Sequence, residues 1–213
     1  MPAPEVFNWL RTRFFPHIWC PGCGHGIIMH SLLRALVGLD KKKSQTVIAS
    51  GIGCSSRMVG YIDACTVHTT HGRSLAFATG IKLANPDLTV IDVMGDGDCA
   101  AIGGNHFIHA CRRNIDITAI VMNNNIYGMT GGQISPTTPS GSWAATSPYG
   151  AIDPAFDICK LAEGAGATYV ARATIANPVQ AEQFIKAGIS NKGFSVVEIL
   201  THCHTQFGRK NNR

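Results

Sequence analysis

The chain has 213 residues, a formal net charge of +5, and 15% charged against 45% apolar residues. Its basic residues form no long run and do not alternate with aromatic ones, which argues against a nucleic-acid-binding protein. No signal-peptide pattern and no run of about 18 apolar residues occurs, so neither export nor membrane insertion is predicted.

The length predicts one domain over residues 1–213. Its low charge indicates that a partner covers part of the surface. The eight cysteines carry more information than the charge. In the cytoplasm, the predicted location, thiols stay reduced, so we expect ligands for a metal or a cluster rather than disulfides.

The first predicted elements place thiols on glycine-rich loops. An irregular arm over residues 1–18 leads to Cys20-Pro-Gly-Cys23-Gly, where proline and glycine exclude regular structure. Apolar residues at helical spacing then predict a helix ending near Gly38. A β-prone run at 46–50 stops at Gly51-Ile-Gly-Cys54-Ser-Ser-Arg57. A third thiol therefore lies at the carboxyl end of a strand, where open α/β sheets bind ligands.

The middle of the chain predicts a βαβ unit. A short strand at 64–67 and a helix at 74–84 flank His71-Gly72-Arg73. The run 88–94 is nearly continuous in apolar and β-branched residues, as in a buried parallel strand. It leads into Gly95-Asp96-Gly97-Asp98, and a helix at 103–113 and a strand at 117–122 follow.

The last third predicts a long loop and a second pair of strands. Residues 130–153 are rich in Gly, Ser, Thr and Pro, and loops of this length usually cover a site or a partner. A helix at 156–162, a strand at 167–171, a helix at 178–189 and a strand at 194–200 follow, and Cys203 lies three residues beyond. This alternation predicts an α/β fold with a parallel sheet and helices on both faces.

Asp96 and Asn124 follow two successive predicted strands and offer a carboxylate and an amide oxygen. Mg²⁺ is usually held by one or two such oxygens together with phosphates and water, and the carbonyl of Ile126 offers a third ligand. The glycines allow a diphosphate to approach the backbone. The alternative is two ordinary strand-to-helix turns that use Gly, Asp and Asn.

These motifs resemble those of a known family. The pair Gly95-Asp96-Gly97-Asp98 and Asn124 is similar to the thiamine diphosphate motif. The string Asn123-Asn-Asn-Ile-Tyr-Gly-Met-Thr-Gly-Gly-Gln133 resembles the β subunit of 2-oxoacid:ferredoxin oxidoreductases. So do the two cysteine loops and His71-Gly-Arg-Ser-Leu-Ala-Phe-Ala-Thr-Gly80. The resemblance covers nearly the whole chain in the same motif order, and it implies a thiamine diphosphate-binding α/β domain.

The resemblance implies roles for individual residues. It assigns Mg²⁺ to Asp96, Asn124 and the carbonyl of Ile126, and a [4Fe–4S] cluster to Cys20, Cys23, Cys54 and Cys203. His71 and Arg73 are predicted to bind the 2-oxoacid carboxylate as catalytic residues. The predicted cofactor-binding residues are Gly53, Ser55, Ser56, His71, Gly95, Asp96, Gly97, Asp98, Asn124, Ile126, Tyr127, Gly128, Met129 and Thr130.

The thiols leave an alternative open. Clusters are held by four thiolates, and three of these cysteines lie on flexible loops. Zinc is the competing ligand, although structural zinc sites usually present two close cysteine pairs and this chain has one. His202 and His204 are expected to donate hydrogen bonds near the cluster, or to be exposed, rather than to act as ligands. The remaining cysteines, Cys65, Cys99, Cys111 and Cys159, are predicted to be small buried apolar residues.

The resemblance implies oxidative decarboxylation of a 2-oxoacid, with coenzyme A as the acyl acceptor and ferredoxin as the electron acceptor. Residues 123–138 are most similar to 2-oxoglutarate-specific members, and pyruvate or branched-chain 2-oxoacids are the alternatives. Gly131 stands where some broad-specificity relatives carry lysine, so their substrate range does not transfer.

The family implies a further component. Thiamine enzymes need a glutamate at the aminopyrimidine ring, and none of the four glutamates here lies in a site motif, so an α subunit is expected to supply it in an αβ or (αβ)₂ complex. Two other classes compete with this interpretation. One is an electron-transfer subunit with a cluster but no thiamine, and the other is a flavin- or acetolactate-type thiamine enzyme without a cluster.

Overall fold

The computed structural model describes residues 4–212, and a parallel sheet lies at its centre. Its strands are β1 (Thr46–Ser50), β2 (Cys65–His68), β3 (Thr89–Gly95), β4 (Thr118–Asn123), β7 (Tyr169–Thr174) and β8 (Ser195–Leu200). They pair in the order β2-β1-β3-β4-β8-β7, and every pairing is parallel. A separate antiparallel pair joins β5 (Ile126–Tyr127) to β6 (Gln133–Ile134).

Helices cover both faces of this sheet, which confirms the predicted fold class. They are α1 (Pro4–Phe7), α2 (His25–Gly38), α3 (Met58–Tyr61), α4 (Ser74–Ala84), α5 (Gly104–Arg113), α6 (Ile158–Gly164), α7 (Pro178–Ser190) and α8 (Arg209–Asn211). Side chains alternate along β3, so Ile91 and Val93 pack in one apolar cluster with α2 and α7. Val90 and Met94 face the other cluster, which includes α4, α5 and α6.

Several predicted elements coincide with the structure, and others differ at their ends. The strand at 46–50 and the helix at 74–84 have the predicted bounds. The helix predicted at 156–162 begins at Ile158 because the side chain of Asp157 accepts a hydrogen bond from Lys160 N–H and caps it. The strand predicted at 167–171 runs instead from Tyr169 to Thr174.

Several elements were not predicted. A π-helical turn at Asp98–Ile102 precedes α5, and a second one at His204–Gly208 follows Cys203. Strand β6 lies inside the predicted loop 130–153, where Gly131 and Gly132 turn the chain with positive φ of 109° and 89°.

The arm over residues 1–18 is more ordered than predicted, within the part described. Its α1 helix and a 3₁₀ turn at Thr12–Phe14 pack against the core, where Val6 and Trp9 are buried. Arg11 ties the arm to α3 and β2, because its backbone N–H donates to the carbonyl of Tyr61 and its guanidinium donates to Thr66 Oγ1 over 3.2 Å. None of the helices described is long and apolar enough to cross a membrane.

Candidate active site

The carboxyl ends of four neighbouring strands meet at one edge of the sheet. These strands are β1, β3, β4 and β8. Cys54 follows β1, Asp96 follows β3, Asn124 follows β4 and Cys203 follows β8. Because parallel strands end at the same edge, residues far apart in the sequence meet there, as open α/β sheets require of a ligand site.

Asp96 and Asn124 lie side by side on a cavity at this edge. Both are buried, with exposed fractions of 2% and 8%. Burial raises the pKa of Asp96, against the opposing effect of the Ser135 and Thr137 hydroxyls. Within residues 4–212 no lysine, arginine or histidine forms an ion pair with Asp96. A buried carboxylate without a cationic partner beside an amide oxygen is a donor set that suits Mg²⁺.

The glycine turn after β3 packs directly on Tyr127. A Cβ atom placed on Gly97 would lie 2.3 Å from the tyrosine ring, and the Tyr127 hydroxyl donates to the carbonyl of Gly97 over 3.1 Å. Burial, with the nearby charges of Asp96 and Asp98, raises the pKa of Tyr127 to about 12. The phenol therefore stays neutral, and it holds the turn in place as a hydrogen-bond donor.

Asp98 anchors the His71 turn. Its Oδ1 accepts the Gly72 N–H over 2.6 Å and contacts His71 Nδ1, while Ile52 N–H lies 3.4 Å away. Its other oxygen, Oδ2, has no hydrogen-bond partner within the described chain. Burial raises the pKa of Asp98, and the contacts to Gly72 and His71 oppose that rise. This carboxyl therefore fixes the loop that carries His71. The rings of His71 and Tyr127 pack edge to face, with 5.9 Å between their centroids.

Most of the predicted cofactor-binding residues line this cavity. They are Gly53, Ser55, His71, Gly95, Asp96, Gly97, Asp98, Asn124, Ile126, Tyr127, Gly128, Met129 and Thr130. The structure does not bring Ser56 and Arg73 there. Ser56 is buried and lines another cavity together with Arg57. Arg73 is exposed, and its guanidinium lies 2.6 Å from His106 Nε2, because the turn before α4 directs it outward.

The four predicted ligand cysteines line a second cavity of about 300 Å³. They are Cys20, Cys23, Cys54 and Cys203, and all four thiols are free. Within the described residues no three of these sulfur atoms lie within 4.8 Å of one another. A tetrahedral zinc ion with bonds of about 2.3 Å would draw its sulfurs closer than that. Zinc would therefore require these loops to move closer together, whereas a cluster held by four thiolates accepts a wider spacing.

Two of these thiols have pKa values above the ordinary value of cysteine. Burial, together with the neighbouring thiols of Cys23, Cys203 and Cys20, raises the pKa of Cys54 to about 11. The pKa of Cys23 is raised as well, chiefly by burial. Cys54 is therefore a neutral thiol in the free chain, and coordination to a metal would deprotonate it.

The two cavities share a wall. Residues on both surfaces are His25, Cys54, Asn124, Gly128 and Met129. A Cβ on Gly128 would lie 3.3 Å from Cys203 Sγ and 3.9 Å from Cys54 Sγ, so a larger residue would crowd the space beside the sulfurs. A group held by the cysteines would thus lie next to a group held by Asp96 and Asn124.

Residues around the thiol cavity hold the loops in position. The indole N–H of Trp19 donates to the carbonyl of Cys54 over 2.7 Å, and His202 Nε2 lies 2.8 Å from the carbonyl of Gly22. Both His202 and His204 line this cavity. His25 is buried, its Nδ1 lies 3.1 Å from Cys23 Sγ, and burial lowers its pKa to about 4. His25 was not among the predicted site residues, although its place directly after the cysteine loop was the available signal.

The remaining cysteines follow the prediction except for one. Cys99 and Cys111 are buried and Cys159 is half-buried. Cys65 is exposed, which corrects the prediction that it is a buried apolar residue. It begins β2, which lies at the edge of the sheet and is covered only in part.

Comparison with known proteins gives one consistent family. The family described as thiamine pyrophosphate enzyme, C-terminal TPP binding domain, matches residues 47–199. The 2-oxoglutarate synthase subunit KorB of Methanocaldococcus jannaschii is 57% identical over 206 residues, which cover 97% of this chain and 76% of the relative. The 2-oxoglutarate synthase subunit KorB of Archaeoglobus fulgidus is 58% identical over 202 residues, which cover 94% of this chain and 75% of the relative.

A solved structure agrees with these relatives. The 2-oxoglutarate:ferredoxin oxidoreductase from Magnetococcus marinus, determined with 2-oxoglutarate, coenzyme A and succinyl-CoA bound, superposes with a TM-score of 0.93 at 39% identity. The match covers 97% of this chain and 70% of that one. The chain therefore belongs to the thiamine pyrophosphate-binding β subunits of the 2-oxoacid:ferredoxin oxidoreductases.

Proposed function

We propose that this chain binds the diphosphate half of thiamine diphosphate and a [4Fe–4S] cluster in a CoA-dependent 2-oxoglutarate:ferredoxin oxidoreductase. The observation that supports it best is the wall shared by the two cavities, with Cys54 and Gly128 on both surfaces. A subunit that only transfers electrons would not need the Asp96 and Asn124 pair. A thiamine enzyme without a cluster would not need four thiols beside it.

In the first cavity, Asp96, Asn124 and the carbonyl of Ile126 would hold Mg²⁺ on the diphosphate. The side-chain oxygen of Asn124 also accepts the N–H of Ile126 over 3.2 Å, which fixes the turn that presents these oxygens. His71, which Asp98 anchors, lines the same cavity and would meet the substrate carboxylate. Arg73 is no longer part of this proposal, because its guanidinium points away from the cavity.

In the second cavity, Cys20, Cys23, Cys54 and Cys203 would hold the cluster. Bound thiamine supplies an electron sink for decarboxylation, and a bound cluster accepts single electrons. The protein's part is to hold the two groups next to each other and to keep their contact region dry. Trp19, which is buried and bonded to the carbonyl of Cys54, covers one side of that region.

A partner subunit is part of the proposal. None of the residues that line the first cavity is a glutamate, and Glu198, which lies nearest in the chain to Cys203, is buried in the sheet. The glutamate that acts on the aminopyrimidine ring would come from an α subunit, and ferredoxin would take the electrons. The relatives are themselves named as subunits. The cytoplasmic location stays a prediction.

The proposed substrate follows from the relatives. Two archaeal relatives are named for 2-oxoglutarate, and the solved neighbour holds 2-oxoglutarate, coenzyme A and succinyl-CoA. At identities of 57% and 58% we extend this substrate to the present chain. Pyruvate and branched-chain 2-oxoacids are the competing substrates.

An anaerobic assay of the complex tests the proposal. The complex is purified with its partner, and reduction of a low-potential dye is followed with 2-oxoglutarate, pyruvate or 2-oxoisovalerate, each with and without coenzyme A. We expect 2-oxoglutarate to give the highest kcat/KM and the rate to require coenzyme A. A preference for pyruvate would overturn the substrate, and a complex inactive with all three acids would overturn the reaction.

A further inference from the structure

A chain of buried hydrogen bonds leads from Asp96 into the sheet, away from the cavity. Thr137, in the long loop after β6, is its first member and is buried. Its Oγ1 lies 2.7 Å from Asp96 Oδ2 and 2.9 Å from Asn123 Oδ1. Both neighbours are acceptors, and a hydroxyl has one proton, so the carboxylate and the amide oxygen compete for it.

Asn123 is the second member and is connected to both halves of the proposed Mg²⁺ site, to Asp96 through Thr137 and to Asn124 through Asn125. Its Oδ1 faces Thr137 and also accepts the N–H of Asn125 over 3.1 Å. Asn125 has a positive φ of 60° and forms the turn that carries Asn124. The orientation of one amide group therefore bears on both Asp96 and Asn124.

Glu198 determines which way that amide points. The Nδ2 of Asn123 donates to Glu198 Oε1 over 2.7 Å, and Asn123 sits on β4 beside β8, which carries Glu198. A reversed amide would bring its oxygen against the carboxylate, so the observed orientation is the only one in which the donor meets the acceptor.

The other oxygen of Glu198 is engaged as well. Arg172 Nε donates to Oε2 over 2.6 Å, and the Cys159 thiol lies 3.3 Å from the same oxygen. Arg172 also contacts Asp157 at the surface. Asp157, Cys159 and Glu198 form the group of potential metal ligands that the described residues contain, but the guanidinium of Arg172 already fills the place of a cation there.

We propose that Glu198 is a positioning residue for Mg²⁺ and thiamine diphosphate, acting through Asn123 and Thr137 on Asp96 and through Asn125 on Asn124. By holding the amide oxygen of Asn123 toward Thr137, it makes that oxygen compete with Asp96 for the hydroxyl proton. The Asp96 carboxylate then keeps more of its charge for the cation. This inference rests on the proposed function, since it assumes that Asp96 and Asn124 hold Mg²⁺.

The substitution Glu198→Gln separates this role from simple space filling. Glutamine has nearly the same volume, but one of its two terminal atoms is a donor. It can satisfy either Asn123 or Arg172 as an acceptor, and it meets the other with a donor. The amide of Asn123 then loses its fixed orientation while the packing of the sheet is kept.

A compensating exchange provides the rescue. In Asn123→Asp a carboxylate faces that of Glu198, which is unfavourable. In the double variant Asn123→Asp/Glu198→Gln, the introduced glutamine donates to the introduced carboxylate and still accepts from Arg172. The net charge of the network is the same as in the wild type, but the negative charge lies at position 123 instead of position 198.

The matched control is Glu182→Gln. Glu182 is also buried, and it accepts from Arg34 Nε over 2.6 Å and from Lys186 over 2.7 Å. It lies on α7, packed against α2, and lines neither cavity. The Glu182→Gln variant therefore removes a buried carboxylate that pairs with an arginine but has no connection to Asp96.

The experiment measures the apparent Kd of Mg²⁺ at saturating thiamine diphosphate on the anaerobic complex, together with the unfolding temperature of the cofactor-free complex. We expect Glu198→Gln to weaken Mg²⁺ binding by roughly tenfold or more, as substitutions behind metal ligands commonly do. Glu182→Gln should leave the Kd unchanged, and the double variant should bind Mg²⁺ more tightly than Asn123→Asp alone.

The outcomes separate the inference from the function beneath it. If the wild-type complex binds neither Mg²⁺ nor thiamine diphosphate, the proposed function fails. If the wild type binds both and Glu198→Gln binds Mg²⁺ equally well, only the role of Glu198 is refuted. A lower unfolding temperature with an unchanged Kd would show that Glu198 is structural alone and would also refute the inference.

Discussion

Gly97 lies where the ring of Tyr127 leaves no room for a side chain. The glycine has an ordinary helical φ of −71°, so its conformation does not require glycine. The requirement comes from the ring, which would lie 2.3 Å from a Cβ atom at this position. Steric exclusion, rather than backbone freedom, explains why a glycine stands between Asp96 and Asp98.

The substitution Gly97→Ala should displace Tyr127 and the turn. Overpacking of this kind lowers the unfolding free energy by about 1–3 kcal/mol. Because the displaced turn carries Asp96, we also expect the complex to retain less thiamine diphosphate. The control is Gly80→Ala in α4, where a Cβ meets no atom within 4 Å. That change should leave cofactor content unaltered and the unfolding temperature equal or slightly raised. Equal cofactor content in the two variants would show that the contact with Tyr127 is unimportant.

Asp92 is a fully buried carboxyl in the middle of β3 that the proposed chemistry does not use. Neither oxygen has a hydrogen-bond partner by distance and angle within the described residues. Burial raises its pKa well above the usual 3.8, the nearby Ser74 hydroxyl opposes this, and the charge of Asp98 adds to it. Between the unfolded and the folded pKa, the folded chain keeps a proton that the unfolded chain loses, so stability falls as pH rises.

The variant Asp92→Asn should remove this pH dependence. As pH rises above 3.8, the unfolding free energy of the wild type should fall relative to that of the variant, by at most about 1.4 kcal/mol per pH unit. The difference should stop growing at the pH where the folded Asp92 carboxyl ionises. Chemical denaturation over a pH series measures it, with the exposed Asp87→Asn as a control. A constant difference between variant and wild type at all pH values would contradict the account.

At the residue scale, the sequence predicted which candidate ligands meet at the sheet edge better than it predicted the residues that support them. Asp96, Asn124 and the four cysteines stand in motifs, and the strand ends bring them together as expected. Thr137 and Glu198 were not predicted, because their roles depend on contacts between residues far apart in the sequence. Thr137 lies 41 residues from its partner Asp96, and Glu198 lies 75 residues from its partner Asn123. Arg73 was misplaced, since a motif tells which residues are near a site but not which way each side chain points.

At the scale of elements, the cysteine loop is fixed by how closely α2 approaches the end of the sheet. A Cβ on Gly24 would lie 2.3 Å from Thr201 Oγ1 and 2.7 Å from Ile175. Gly24 precedes α2, while Thr201 follows β8. The close packing at Gly24 therefore sets the distance between Cys23 and Cys203.

The substitution Gly24→Ala should push the loop from the sheet and reduce iron content, because two of four ligands move relative to Cys203. Gly26→Ala is the matched control, as its Cβ would meet only His17 Nε2 at 3.8 Å, an ordinary contact. We expect Gly26→Ala to keep the full iron content of the anaerobic complex. Equal iron in both variants would show that the loop tolerates displacement.

The elements themselves followed from local pattern wherever the pattern was strong. The buried strand β1 and helix α4 have the predicted bounds, because polar residues, glycine or proline flank each apolar run. The π-helical turn at Asp98–Ile102 and the pair β5–β6 were missed. The π-helical turn contacts the distant Gly72 turn through Asp98, and β5 and β6 are two-residue strands, too short to show an alternating pattern.

At the scale of the whole molecule, the sheet places two cavities against each other at one edge. The segments that follow β1 and β4 supply residues to both cavities, while the segment after β3 lines only the first and the segment after β8 only the second. Cys54, Asn124 and Gly128 lie on the common wall. The two cavities are therefore neighbours, and none of the residues that line the first is a glutamate. This arrangement accounts for a low surface charge if a second subunit completes the site.

Cofactor content is the most direct test of this arrangement. The complex is purified anaerobically as wild type, Asp96→Ala and Cys203→Ser, and iron, sulfide, zinc, magnesium and thiamine diphosphate are counted per chain. We predict about four iron and four sulfide, with one magnesium and one thiamine diphosphate, in the wild type. Asp96→Ala should lose only the last two, and Cys203→Ser should lose iron. Zinc in place of iron, or a wild-type complex without thiamine diphosphate, would contradict the account.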